Sequence, residues 1–298
     1  MRILLLGMNG QVGWELQRAL APLGDLVALD LDNPAPWRAD FLQPEALAAT
    51  VRAVAPDLIV NAAAHTAVDK AEGEPDVART INASAPAVLA REAQALGAWL
   101  VHYSTDYVFD GSGDRPWTED DPTGPLNIYG KTKLEGEDAI RASGCRHLIL
   151  RTSWVYAARG GNFARTMLHL AATQKQLQVV DDQVGAPTGA ELLADVTAHA
   201  VRRARAEPGL SGTYHATAAG QTSWYGYARH VIEFAWAAGD ALSVRPDGIL
   251  AVPSSAFPTP ARRPHNSRLD TRKLERQFDL KLPLWQAGVD RMLREIRR

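Results

Sequence analysis

At 298 residues the chain is long for one hydrophobic core and suits a large domain with a smaller one beside it. Its 46% hydrophobic and 22% charged residues are those of an ordinary globule, and a net charge of −2 with interspersed signs excludes an electrostatic nucleic-acid surface. A single cysteine, Cys145, excludes an internal disulfide and a cysteine-based metal cluster, which fits a reducing compartment.

No apolar run reaches the roughly 18 residues of a membrane span. The apolar stretch from Met1 to Leu6 is too short for a signal peptide and runs into Gly7, Asn9 and Gln11, so the cytoplasm is the expected location.

Arg2 to Gly7 reads as a strand buried on both faces. Gly7, Gly10 and Gly13 follow in Gly-x-x-Gly-x-x-Gly spacing, and Trp14 to Leu23 carries apolar residues at helical intervals. Strand, glycine turn and helix form the layout of a dinucleotide-binding turn, with the pyrophosphate at the helix N-terminus. The spacing differs by one residue from Gly-x-Gly-x-x-Gly, and a plain βα turn is the alternative. Asp25 to Asp30 reads as the second strand. Its terminal acid, about 20 residues past the glycines, suits the adenosine ribose hydroxyls and opposes a 2′-phosphate, which favours NADH over NADPH. Asp40 and Phe41 lie in the next loop, where an acceptor and an apolar face suit an adenine.

Pro44 to Val54 reads as a helix and Asp57 to Asn61 as a third strand, running into Ala62, Ala63, Ala64 and His65. Small residues there leave room for a ligand across the strand's carboxyl end, or for close helix packing. Val77 to Leu96 reads as one long helix, Ala98 to Tyr103 as a strand delivering Ser104 and Thr105, and Arg146 to Arg151 as a fifth strand. This alternation predicts an α/β fold: a doubly wound parallel Rossmann sheet over residues 1–153, to which later segments can return, with a smaller α/β substrate domain mainly within 154–298. Later segments include helices at 162–173, 191–206, 223–238 and 284–296, and a Pro-rich stretch from Pro246 to Ser267. Arg262 and Arg263 in that stretch suit a phosphate, or are a solvated basic pair.

Tyr129 and Lys133 stand at i and i+4, over one another on a helical face. A solvated pair is the bland reading. The chemical one is that an ammonium beside the phenol lowers its pKa toward 7, at a cost of roughly 4 kcal/mol of differential interaction. Thr105 would then hold a substrate carbonyl while Tyr129 protonates it.

Taken together, the glycine turn, Asn61 to Ala64, Ser104 to Phe109 and Tyr129-x-x-x-Lys133 resemble the extended short-chain dehydrogenase/reductase superfamily. Asn61 to Asp69, Ser104 to Gly111, Tyr129 to Glu137, Arg151 to Tyr156, Gly185 to Gly189 and Arg263 to Leu269 are similar to the dTDP-4-dehydrorhamnose reductase family, over essentially the whole length. The resemblance implies reduction of the C4 ketone of a dTDP-4-keto-6-deoxy-L-hexose to dTDP-L-rhamnose by NADPH or NADH. It assigns catalysis to Thr105, Tyr129 and Lys133. Cofactor contacts fall to Gly7, Asn9, Gly10, Gln11, Val12, Gly13, Asp30, Asp40, Phe41, Ala63, Ala64, His65, Tyr103, Tyr129 and Lys133. Substrate contacts fall to Thr105, Asp106 and Trp154. The family is homodimeric, and some members hold Mg2+ between interface carboxylates; Glu15 and Glu191 match part of that set, while Ala190 is neutral. The complete Thr, Tyr and Lys set favours an enzyme over a non-catalytic nucleotide-binding regulatory subunit, and a nucleotide-sugar epimerase is the other alternative.

Overall fold

The computed structural model describes residues 1–33 and 36–297. Strand β1 (Arg2–Leu6) is central, and Ile3 to Leu6 are fully buried because helices cover both faces of its sheet. Around it stand β2 (Asp25–Leu29), β3 (Leu58–Asn61), β4 (Trp99–Thr105), β5 (Arg146–Thr152) and β6 (Gly212–His215), in the order β6-β5-β4-β3-β1-β2. All pairs are parallel. Chain order reverses where β1 meets β3, and in open sheets a ligand crevice opens at the carboxyl ends of such strands.

One face of the sheet carries α1 (Gln11–Leu20) and a helix from the second half of the chain. The other carries α2 (Pro44–Val54), α3 (Ala85–Leu96) and α4 (Ile128–Ala142). The remaining chain supplies α5 (Phe163–Thr173), α6 (Ala190–Ala206), α7 (Trp224–Ala237) and α8 (Trp285–Glu295). Helix α6 is the one lying against α1, whereas α5, α7 and α8 build separate apolar clusters with the short parallel pair Leu177–Val180 and Ile249–Val252. Among the described residues no helix is long and apolar enough to cross a membrane.

The strands and most helices fall where periodicity put them, with informative differences. Helix α1 begins at Gln11, just after Gly10, and gives way to a 3-10 turn at Ala21–Leu23 that carries Pro22. The single helix expected over 77–96 is interrupted by a π turn at Thr80–Ser84, between Pro75–Arg79 and α3. That widened turn carries Asn82, which is buried and donates to the Thr132 hydroxyl of α4 and to the His65 carbonyl. Strand β6 and the helices Val68–Gly73 and Arg272–Phe278 gave no periodic pattern long enough to read.

Helix α4 lies unusually close to its neighbours. A Cβ on Gly130 would stand 2.1 Å from the Tyr107 carbonyl oxygen, and one on Gly136 2.2 Å from that of Asn82. The methyl of Gly136→Ala therefore drives two backbones apart and should lower unfolding free energy by about 1–3 kcal/mol in urea titrations. Gly73→Ala, whose methyl meets nothing within 4 Å, should be neutral or gain up to about 1 kcal/mol. Equal losses in the two variants would refute the close-approach reading.

Candidate active site

The glycine turn divides its labour. Gly7 has φ +86°, and its Cβ would press to 2.7 Å from the Ala63 nitrogen, while a Cβ on Gly13 would fall 1.9 Å from the Gly7 carbonyl oxygen. These two glycines let β1, α1 and the loop after β3 meet. Gly10, Gln11 and Val12 instead line a cleft of about 460 Å³. Gly10 contributes no side-chain cap and the first turn of α1 holds no acid, so the helix's leading N–H groups face the cleft ready for an anion.

Farther along, Asp30 accepts from the Asn9 and Leu31 N–H groups, both at 2.8 Å, which fixes its carboxylate at the end of β2. Asp40 accepts from Leu42 N–H and the Gln43 amide. Phe41 is packed into the core beneath β1 and β2 rather than presenting a free ring face as expected. Ala63 N–H donates to the Asn61 side chain, and His65 joins Glu74 at 2.8 Å, with only Ala64 of this trio on the cleft wall.

Opposite the turn, the same cleft is lined by Tyr103, Thr105, Asp106, Tyr129, Lys133 and Trp154. Thr105 ends β4, and its hydroxyl accepts from Tyr107 N–H and donates to Asp106 Oδ1, both at 3.1 Å. Tyr129 opens α4, whose first turn is capped by Asn127 through Gly130 N–H and by Glu72 through Ile128 N–H, each at 2.8 Å. The Thr105 side chain lies against the Tyr129 hydroxyl. The Tyr107 ring meets that of Tyr129 edge-on at 5.5 Å.

Lys133 is where expectation and structure part. Its ammonium nitrogen lies 2.6 Å from the Tyr103 carbonyl oxygen and 3.2 Å from His102 Nε2, and is 2% exposed as a residue. Burial pushes Tyr129 up to about 12, with Thr105 easing it back and Asp106 adding to the rise. Burial likewise presses Lys133 down to about 8, against the opposing pull of Glu137. Desolvation exceeds mutual attraction at this site because both groups are enclosed. Burial also lifts Asp106 to about 7.

A second cavity, of about 740 Å³, shares Val68, Tyr107 and Trp224 with the cleft and extends to Arg262, Arg263 and His265. Arg263 pairs with Asp69 at 2.6 Å, and the Arg262 carbonyl accepts from the Asn127 amide that also caps α4. One asparagine thus couples the arginine loop to the catalytic helix. Trp154 stacks on Trp224 at 3.6 Å between the cavities. Its φ of +49° is strained for so bulky a residue, and the space under its ring exists because residue 185 is glycine.

Sequence reasoning passed over Asn82, Asn127, His102 and the pair Glu137–Arg151. Glu137 is fully buried, held by two Arg151 bonds of 2.9 and 2.7 Å, by Ser104 and by Arg141. Burial would raise its carboxyl, but these partners hold it below the usual range. Polar residues inside otherwise apolar strands (His102, Arg151) were the available clue, whereas Glu137 is one of several charged residues along α4 and does not stand out.

A doubly wound parallel sheet with Thr105, Tyr129 and Lys133 facing a glycine turn defines an extended short-chain dehydrogenase/reductase. More narrowly, the chain belongs to the family described as RmlD substrate binding domain, whose model matches residues 1–298. It is 58% identical to the dTDP-4-dehydrorhamnose reductase of Escherichia coli K12 over 99% of this chain and 98% of that relative. Among solved structures, a dTDP-4-dehydrorhamnose reductase of Clostridium acetobutylicum superimposes with TM-score 0.90 at 36% identity, covering all of both chains. Another, from Bacillus anthracis in complex with NADP, does so with TM-score 0.87 at 32% identity over 99% of each.

Below about 7 Asp106 is a neutral acid, and above it a carboxylate facing a cleft suited to phosphate-bearing ligands. KM for an anionic substrate should therefore be several-fold higher at about pH 8 than at about pH 6. Asp106→Asn should flatten that rise in steady-state kinetics, and an unchanged rise would clear Asp106 of responsibility.

Proposed function

We propose that this protein reduces the C4 ketone of dTDP-4-dehydro-6-deoxy-L-mannose (dTDP-4-dehydrorhamnose) to dTDP-L-rhamnose, using NADPH or NADH. The observation that carries the reading is the convergence of Thr105, Tyr129 and Lys133 on one cleft with the uncapped N-terminus of α1. Full-length similarity to reductases named for this substrate supports it over a regulatory subunit or an epimerase.

The residues of the cleft fit a dinucleotide. The α1 N–H groups would receive the pyrophosphate, Asp30 would accept from the adenosine ribose, and Tyr103 and Lys133 would flank the nicotinamide end. When bound, the cofactor supplies the hydride to the ketone carbon. Thr105 would orient the carbonyl oxygen by its hydroxyl, and Tyr129 would give its phenolic proton to that oxygen as negative charge develops. Trp154 would bound the sugar, with Asp106 beside it. Arg262 and Arg263, on the wall of the larger cavity, would meet the diphosphate, so residues 154–298 mainly serve the substrate.

A homodimer located in the cytoplasm belongs to the same reading. Glu15, which also leans toward Arg18 at 3.6 Å, and Glu191 are the carboxylates that would hold Mg2+ at a dimer interface, and no step is routed through a metal.

The test is loss of reduced-cofactor absorbance with the dTDP-4-keto sugar, run in parallel with NADPH and NADH. Tyr129→Phe should cut kcat by about 10²–10⁴ while cofactor affinity, read by fluorescence titration, is kept. Unimpaired turnover in that variant would remove Tyr129 from the chemistry, and an inert wild type would remove the reading itself.

A further inference from the structure

Asn127 touches no reacting atom in the chemistry above, yet it is buried and engages both ends of its amide. Gly130 N–H is a fixed backbone donor, and Asn127 Oδ1 meets it at 2.8 Å. That contact sets the amide's orientation, so the NH2 is left to donate to the Arg262 carbonyl, also at 2.8 Å. One side chain therefore starts α4, two residues before Tyr129, and holds the backbone of the arginine loop.

The helix Val68–Gly73 closes a frame around this bond. Its Asp69 and Glu72 stand at i and i+3, on one face. Asp69 accepts from Ala261 N–H at 3.2 Å and from the Arg263 guanidinium at 2.6 Å. Glu72 accepts from Ile128 N–H at 2.8 Å. The short helix is thus tied to the loop and to α4, and Asn127 supplies the third side, loop to α4. Tyr107 stands within the frame, lining both cavities with its ring 5.5 Å from that of Tyr129.

Such a frame matters for a nucleotide sugar, whose diphosphate and C4 ketone lie on opposite sides of the hexose ring. The ring is stiff, so a shift at the diphosphate is carried through to the carbonyl. Misplacing reacting atoms by about 1 Å costs about 100-fold in rate.

We propose that Asn127 is a positioning residue that fixes the register between the diphosphate anchor on the arginine loop and Tyr129 on α4. Asp69 holds the loop whether or not Asn127 does, so the anchor keeps its affinity without that amide. What the amide sets is where the anchor stands relative to the proton donor. The proposal rests on the reductase reading, in which Arg262 and Arg263 meet the diphosphate.

The test separates the two ends of the amide. Asn127→Ser keeps an oxygen that can cap α4, is too short to reach the Arg262 carbonyl as well, and changes no charge. Single-turnover reduction of the dTDP-4-keto sugar should slow by about 10- to 100-fold in this variant. Its Kd for dTDP, by titration calorimetry, its Kd for NADPH and its thermal midpoint should match wild type. Asn127→Ala, which loses the cap too, should slow equally and unfold at a lower temperature. A role in capping only predicts a serine variant as fast as wild type. That result would overturn the proposal, as would a loss of dTDP affinity in step with the rate. Should the serine variant fold poorly, wild type decides: dTDP should slow hydrogen exchange at Gly130 N–H, whose acceptor belongs to the amide that fastens the loop, and unchanged exchange would refute the coupling. A wild type that reduces the sugar beside an equally fast Asn127→Ser fails the register only, whereas a wild type inert toward the sugar fails the reading beneath it.

Discussion

The site depends on how closely α4 can approach the end of β4. The spacing of Tyr129 and Lys133 puts both on one face of a helix, but spacing alone brings neither to Thr105. Gly130 lets the helix start against the Tyr107 carbonyl, one turn past Thr105, and Gly136 lets its middle lie on the π turn at Asn82. Between those two contacts the helix has little freedom to slide. Its start is fixed further by Asn127 and Glu72, and a side-chain N-cap is worth typically about 1 kcal/mol. Its far half is pinned by Glu137, whose carboxylate reaches β5 through Arg151 and β4 through Ser104. Removing one member of such a buried pair leaves an uncompensated charge, at a cost of about 3–5 kcal/mol. The helix that carries Tyr129 is thus docked by backbone contact and held by ions.

How much of this the sequence carried varies with the range of the interaction. β1, the glycine turn and α1 were readable because strand, turn and helix are local patterns, and the apolar run of Ile3 to Leu6 permits little else. Tyr129 and Lys133 were readable as a pair on one helix. The direction in which Lys133 points was not, since its partners, His102 and the Tyr103 carbonyl, lie some thirty residues away on β4. The π turn was hidden because one widened turn leaves the apolar periodicity of 77–96 almost unchanged, yet it carries Asn82. β6 was hidden because Gly212 to His215 is too short to show alternation, and its place beside β5 is fixed by pairing rather than by propensity. Phe41 is the converse case: an aromatic in a loop shows nothing in sequence of the core packing that it has in the fold.

The electrostatics of the cleft run against the simplest account of a Tyr-x-x-x-Lys pair, and the difference follows from the direction of the reaction. An ammonium that drags a phenol toward 7 makes a good base, which is what oxidation of an alcohol needs. Reduction needs an acid. Here burial raises Tyr129 to about 12 and lowers Lys133 to about 8, so the same enclosure favours the uncharged form of each. A phenol at that level remains a competent donor, because the group it must protonate is an alkoxide, a stronger base than a phenolate. The transfer is therefore downhill once hydride has reached the carbon, and uphill before it. A donor that holds its proton against water yet yields it to an alkoxide loses nothing by being buried. What enclosure adds is timing: the proton can move only after charge has developed on the substrate oxygen, which is where Thr105 and Tyr129 converge.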